Sequence, residues 1–283
     1  MSKLRDKMIE DMQLYGLSSS TQEVYVGAVK HLAEFHGHSP ARLNEGHLRQ
    51  FFLHLVNEKQ LSRSYFKIHL CAIKFLYEKT LNQDWPTLKI IRPKPGQKMS
   101  PVFSQDEVKS ILSYVKNPVY RGCLALIYHC GLRISEAVCL KLDQFDKNRM
   151  LLLILDSKGN KDRYVPYSQN TRRMLSNYWR SVNCPRPWMF PSLKKPGEHI
   201  KSDVLYRTFK VALRKSGIRK DGAVHTLRHS YATRLLEEGV DLQSIQKFLG
   251  HKSIMTTTIY TKLTPNIIKK NKNAIETITQ GIQ

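Results

Sequence analysis

The sequence predicts a mainly α-helical fold with one small β-hairpin, an α+β protein in two domains. Apolar residues recur at steps of three and four along most of the chain, as on the buried face of an amphipathic helix. One stretch, MLLLILDSKGNKDRYVPYS at 150–168, is instead typical of two strands joined by a tight turn at Gly159 and Asn160. Prolines, a glycine and several cations at residues 85–101 indicate an extended basic linker between two folded parts.

Residues 1–84 predict a small helical bundle. Amphipathic segments at 18–37, 42–60 and 62–81 follow one another, and residues 1–15 add a short helix. Serines at the start of the first segment are suited to N-caps, and Gly37 ends it. The expected buried faces hold Val24, Ala28, Leu32 and Phe35, then Leu48, Phe51, Phe52 and Leu55, then Ile68, Ala72, Phe75 and Leu76.

Residues 102–283 predict a second, mixed domain in which the hairpin lies among helices. Helical patterns occupy roughly 104–115, 118–131, 169–182, 203–216, 225–238, 241–249 and 253–262, with another at the C-terminus. Ser104 with acidic residues after it predicts a capped start. Asp241 and Gly250 bracket a helix that ends abruptly and leaves His251 at a fixed point just beyond it.

Charge is the strongest global signal in the composition. The chain has 46 Lys+Arg against 23 Asp+Glu, a net charge of +23, which favours a polyanion such as nucleic acid as partner. The charged N-terminus has no apolar signal-peptide core, and the longest aliphatic run is too short to span a bilayer, so we expect a cytoplasmic, nucleoid-associated protein without membrane contact. The five cysteines form no CxxC pair and are expected to be free, buried and reduced.

The segment HTLRHSYATRLLEEG, 225–239, places His225 and Arg228 one turn apart on one helical face. An imidazole beside a guanidinium can bind an anion such as a phosphate, although a capped surface helix remains an equal alternative. His225 and His229 have a spacing that zinc ligands use, but Arg228 would set a cation beside the metal, so no metal site is expected.

Three further residues could take part in chemistry. Arg133 lies in an apolar setting, where it needs either Glu136 or an anionic substrate as partner. Lys158 is at the expected hairpin tip, where it is either solvated or delivers a proton to a leaving group. Residues 241–262 can be read as a helix–turn–helix, yet the second helix offers few side chains for base edges and ends on the hydroxyl of Tyr260.

Four segments taken together, GLRISEA, SKGNKDRYVP, HTLRHSYATRLLEEGVDLQSIQKFLGH and KSIMTTTIY, resemble the motifs of the tyrosine recombinase (phage integrase) superfamily in order and internal spacing. The bacterial Xer-like branch is nearest. The resemblance covers roughly 100–265, and the N-terminal helices are more loosely similar to the family's core-binding, SAM-like domain. It implies domains at 1–84 and 102–283, joined by the linker at 85–101, that close as a clamp around DNA.

The resemblance also implies a catalytic set on this chain, made of Arg133, Lys158, His225, Arg228, His251 and Tyr260. Arg133 and Arg228 would hold the scissile phosphate, and the two histidines of the set would complete the clamp and assist proton transfer. Lys158 would protonate the leaving 5′ oxygen, and Tyr260 would form a 3′-phosphotyrosyl link. His229 would support the site without reacting.

The function so implied is site-specific DNA recombination with a Holliday-junction intermediate, as in the integration of mobile elements. It needs no cofactor, metal or ATP, because one phosphate ester is exchanged for another. The expected partner is double-stranded DNA with a specific core site, bound by a homotetramer on two sites, alone or with a partner recombinase. A type IB topoisomerase and a non-cutting DNA-binding regulator are the alternatives.

Overall fold

The structure is a computed structural model that describes residues 3–57, 63–85, 101–155 and 162–250. The chain divides into two units, Met1–Lys98 and Met99–Gln283, each of which is described by itself. In the part of the chain so described, no helix is both long and apolar enough to cross a membrane.

The first unit is a helical bundle. Its helices are α1 (Lys3–Leu14), α2 (Ser19–His36), α3 (Glu45–Asn57) and α4 (Arg63–Phe75), and α4 continues into a π-helical turn at Leu76–Thr80. Ser18 caps α2 and Gly37 ends it at φ 67°, a left-handed conformation that glycine adopts without strain. The core is built from residues of every helix, Met8, Met12, Leu32, Leu48, Phe51, Phe52, Leu55, Ile73, Leu76 and Tyr77 among them.

The predicted buried faces of this unit are largely confirmed. All the expected residues of α3 are buried, and so are Ala28 and Leu32 of α2. The prediction that Val24 is buried is wrong, since 43% of its surface is exposed. In the third segment Ala72 and Leu76 are buried, whereas Ile68 and Phe75 are only half-buried.

The second unit is built around helix α6. The bounds are α5 Gln105–Ser113, α6 Pro118–Cys130, α7 Ile134–Val138, α8 Gln169–Ser181, α9 Ser202–Lys215, α10 Val224–Glu237 and α11 Leu242–Leu249. Helix α6 is the most apolar of them and contacts α7, α8, α9 and α10. Ser104 accepts a hydrogen bond from the Glu107 amide and Glu107 accepts one from the Ser104 amide, which confirms the predicted cap of α5.

A small antiparallel sheet lies beside these helices. Strand β2 (Leu151–Ile154) pairs with β3 (Arg163–Pro166), as predicted, and β1 (Phe145–Asp146) adds a third strand that the sequence did not predict. Ile154 lies opposite Arg163 in the register. The fold class, mainly α with a small β-sheet, is therefore confirmed.

Some predictions on this unit need correction, and others fall on residues that are not described. All five cysteines are free, but the expectation that all are buried is wrong. Cys123 and Cys130 are buried, Cys71 is half-buried, and Cys139 and Cys184 are exposed. Their segments follow a helix end or precede a proline, where the chain runs along the surface. The hairpin turn, the helix at 253–262 and the C-terminal helix lie outside the described residues.

Candidate active site

The C-terminal end of α11 is the acceptor around which the site is built. Asp241 caps the start of this helix by accepting from the Ser244 amide, and Gly250 ends it at φ 64°. The last carbonyls of a helix have no partner within the helix and carry its negative partial charge. Here each of the last carbonyls, at Phe248, Leu249 and Gly250, accepts a hydrogen bond from a different arginine.

Arg133 reaches this helix end from the start of α7. Its Nη2 donates to the Gly250 carbonyl at 2.9 Å, and its Nη1 donates to Glu136 Oε1 at 2.7 Å. The Arg133 amide also donates to Glu136 Oε2 at 2.8 Å, which caps the first turn of α7. About a quarter of the side chain, 23%, remains exposed, so an anion can reach part of it.

Arg228 comes from α10 and is nearly enclosed, with 1% of its side chain exposed. Its Nη1 donates to the Gly131 carbonyl at 2.9 Å and its Nη2 to the Leu249 carbonyl at 2.7 Å. Gly131 ends α6 at φ 60°, and a Cβ there would lie 2.5 Å from the Tyr231 ring. Only glycine permits this close approach, which brings the end of α6 within reach of Arg228.

Glu136 is the carboxylate that the arginines share. It is 5% exposed and accepts from Arg133 and, through both oxygens, from Arg163, while Arg228 Nη1 lies 3.8 Å from its Oε2. Burial by itself would raise the pKa of Glu136. The hydrogen bonds and charge of Arg163, with those of Arg133, outweigh burial and lower that pKa to about 2. Glu136 is therefore ionised at any working pH.

Arg163 is the member of this cluster that sequence reasoning missed. It belongs to the segment SKGNKDRYVP, in which only Lys158 is singled out for chemistry. Its side chain is only 8% exposed. The alternation of side chains along the strand could have identified it. Arg163 shares a strand face with Val165, which is fully buried. A cation on a buried face needs a buried partner.

His225 lies near the start of α10, one turn before Arg228. The Ala223 amide donates to the Thr226 hydroxyl at 3.0 Å, which satisfies one of the open N–H groups at this helix start. Loss of hydration lowers the pKa of His225, and the positive charges of Arg228 and Arg133 lower it further. His225 is nevertheless exposed, so a substrate can reach it.

The structure thus brings together three of the six predicted catalytic residues, Arg133, His225 and Arg228. Lys158, His251 and Tyr260 lie outside the described residues. His229, the expected supporting residue, is buried in α10 at 7% exposure. Two guanidiniums held at one helix end, with an imidazole one helical turn from Arg228, can bind an anion and stabilise charge that grows on it.

Comparisons with known proteins show the family of the chain. The model of the phage integrase family matches residues 101–266, and that of the phage integrase N-terminal SAM-like domain matches residues 4–87. The chain is similar to the integrase/recombinase y4qK of Sinorhizobium fredii, with 35% identity over 98% of this chain and 89% of that one. It is also similar to the tyrosine recombinase XerA of Pyrococcus furiosus, with 30% identity over 98% of both chains.

Among solved structures, a lambda integrase dimer bound to a COC′ core site has the same fold. The TM-score is 0.75 at 16% identity, over 92% of this chain and 94% of that one. The two family models together cover nearly all of the described residues, and the recombinase relatives align over almost the full chain. The chain therefore belongs to the phage integrase family of tyrosine recombinases.

Proposed function

We propose that this chain is a site-specific DNA recombinase that cuts and rejoins strands through Tyr260. The observation that carries the proposal is the convergence of Arg133 and Arg228 on consecutive carbonyls at the end of α11, with His225 beside them. A site that gathers cations around one acceptor, in a chain with a net charge of +23, is suited to a DNA phosphate. Family membership favours recombination over the topoisomerase and regulator alternatives.

In the proposed first step the Tyr260 oxygen attacks the scissile phosphorus. A bond forms between that oxygen and phosphorus, and the bond from phosphorus to the 5′ oxygen breaks. The tyrosine proton leaves with the help of His251, and the 5′ oxygen takes a proton from Lys158. Rejoining reverses these events with a 5′ hydroxyl from the other duplex, so no energy source is needed.

The roles of the arginines follow from their exposure. Arg133, whose side chain is partly exposed, binds a non-bridging phosphate oxygen, and Arg228 adds its charge from a buried position where the dielectric is low. Both are already held by protein carbonyls, so little reorganisation is needed as charge develops in the transition state. His225, neutral near pH 7, supplies a hydrogen bond to the same phosphate.

The proposal extends to the domains and the assembly. We assign residues 1–84 to a core-binding domain and 102–283 to the catalytic domain, joined by the linker at 85–101, and propose that the two close around DNA. Two duplexes have four strands to exchange, and each active site has one nucleophile, so a tetramer on two sites is the assembly that completes the reaction. We place it on the nucleoid in the cytoplasm.

The test uses labelled duplex DNA from the regions that flank the gene, incubated with the full chain in EDTA. Wild type is compared with Tyr260→Phe and with Tyr206→Phe, which removes the hydroxyl of a 43% exposed tyrosine on α9. We expect a detergent-resistant, protease-sensitive DNA adduct with wild type and with the control, and none with Tyr260→Phe, which still binds the DNA.

Other results point to the alternatives. Sequence-specific binding by wild type without an adduct would favour the regulator. Relaxation of any supercoiled plasmid, without sequence preference, would favour the topoisomerase.

Once the cut is mapped, a substrate with sulfur in place of the leaving 5′ oxygen tests Lys158, because a thiolate leaves without a proton. Lys158→Ala should cut the oxygen substrate slowly and the sulfur substrate at nearly the wild-type rate.

A further inference from the structure

Arg163 commits all of its nitrogens to protein partners. Nη1 and Nη2 donate to the two oxygens of Glu136 at 2.9 and 2.7 Å, and Nε donates to the Phe248 carbonyl at 2.9 Å. We infer that Arg163 is a positioning residue for strand cleavage, which holds Glu136 and the end of α11 so that Arg133 and Arg228 meet the phosphate in a fixed arrangement. The inference rests on the proposed function.

The first part of this role is to occupy Glu136. A buried carboxylate beside the phosphate-binding arginines competes with the phosphate for their N–H groups. Arg163 forms a bidentate pair with both oxygens, and the Arg133 side chain makes a single hydrogen bond to this carboxylate, to Oε1. Because one arginine offsets the carboxylate, the charge of the other two remains available to the substrate.

The second part is to join three segments that each lead to a catalytic residue. Arg163 lies on β3, the strand that follows Lys158 in the sequence. Its pair with Glu136 holds the turn of α7 that begins at Arg133. Its bond to Phe248 holds the end of α11, three residues before His251.

The contact with α11 is close as well as polar. A Cβ on Gly250 would lie 2.9 Å from the Cδ of Arg163, so the helix end rests directly on the arginine stem. A lysine could preserve the charge and much of the stem. It could not donate to Glu136 through two parallel N–H groups while also donating to Phe248.

The test measures the rate of adduct formation in a single turnover on duplex DNA with the mapped cleavage site. The variants are Arg163→Lys, Arg163→Met and the control Arg207→Met, which removes an equal charge from an exposed pair with Asp203. At saturating DNA we expect the rate to fall at least about tenfold in Arg163→Lys and about 100-fold in Arg163→Met. The Kd for DNA should change less than about threefold, and the control should match wild type in both quantities.

The split between rate and Kd separates positioning from other roles. A normal rate with lysine would overturn the inference, since charge alone would then suffice. So would a weaker Kd with an unchanged rate, which would make Arg163 a DNA contact. Should the methionine variant fail to fold, the lysine variant alone decides. If wild type forms the adduct and the Arg163 variants form it at the same rate, only this inference is overturned. If wild type forms no adduct, the proposed function is overturned as well.

Discussion

Glu136→Gln should destabilise the second unit by about 3 kcal/mol near pH 7. The buried arginines lower the pKa of Glu136 from the ordinary 4.5 to about 2. At 1.36 kcal/mol for each pH unit, that difference means the folded state stabilises the charged carboxylate by about 3 kcal/mol. Glutamine has nearly the same shape but lacks the charge, and it leaves three arginines around a neutral amide. Breaking a buried ion pair by removing one partner costs a similar amount, about 3–5 kcal/mol.

The assay is urea unfolding followed by tryptophan fluorescence. The chain has 3 tryptophans, and Trp85 belongs to the first unit, so a Trp85→Phe background leaves Trp179 and Trp188 to report on the second unit alone. Glu198→Gln is the matched control. Its carboxylate forms a pair with Lys195 that is more than half exposed on both sides, so this change should cost less than about 0.5 kcal/mol.

The pH dependence gives the prediction a second check. A carboxyl whose folded pKa is lowered contributes its stability above the unfolded value, near 4.5, and loses it as the pH falls towards about 2. The difference between wild type and Glu136→Gln should therefore be full at pH 6 and shrink steadily below pH 4.5. A cost below about 1 kcal/mol at pH 7, or a difference that stays constant down to pH 3, would refute the reasoning.

Two further predictions concern the same site. Gly131→Ala should cost more than about 2 kcal/mol in the fluorescence assay, because the added methyl would meet the Tyr231 ring at 2.5 Å at a positive φ. The control is Gly197→Ala, at φ 83° with no atom within 4 Å of the added methyl, which should cost only about 1 kcal/mol. Equal costs for the two variants would show that the structure around Gly131 moves to accept the methyl. By NMR, His225 should titrate below its ordinary pKa of 6.5, and Arg133→Met should raise that pKa; no rise would mean that Arg133 is not a near charge.

Much of the fold could be predicted because its determinants are local. Ser104 and Asp241 lie next to the helices that they cap, and the spacing that buries Leu48 and Phe51 is visible in any short window of sequence. Exposure was predicted less well. Val24 has the correct helical spacing, but its side of α2 is not covered, and coverage depends on where the other helices pack.

The site could be predicted only in part, for a related reason. Arg133 and Arg228 could be singled out from an apolar setting and from helical spacing, and the resemblance of their motifs to a known family implied their role. Their acceptors are main-chain carbonyls that lie 117 and 21 residues away along the chain. Every residue has such a carbonyl, so the sequence does not show which ones accept. Arg163 was missed because its partner Glu136 is 27 residues away along the chain and was considered only as a partner of Arg133.

The acceptors explain how three arginines can lie together before DNA arrives. Glu136 offsets one positive charge, and the helix end contributes a negative partial charge of about half a unit, so the cluster keeps well over one unit of positive charge. That excess is what a phosphate would neutralise. The carbonyls that hold the arginines also fix the last residue before His251. Under the proposed function, a change that loosens the end of α11 should therefore disturb both arginines that bind the phosphate, and with them strand cleavage.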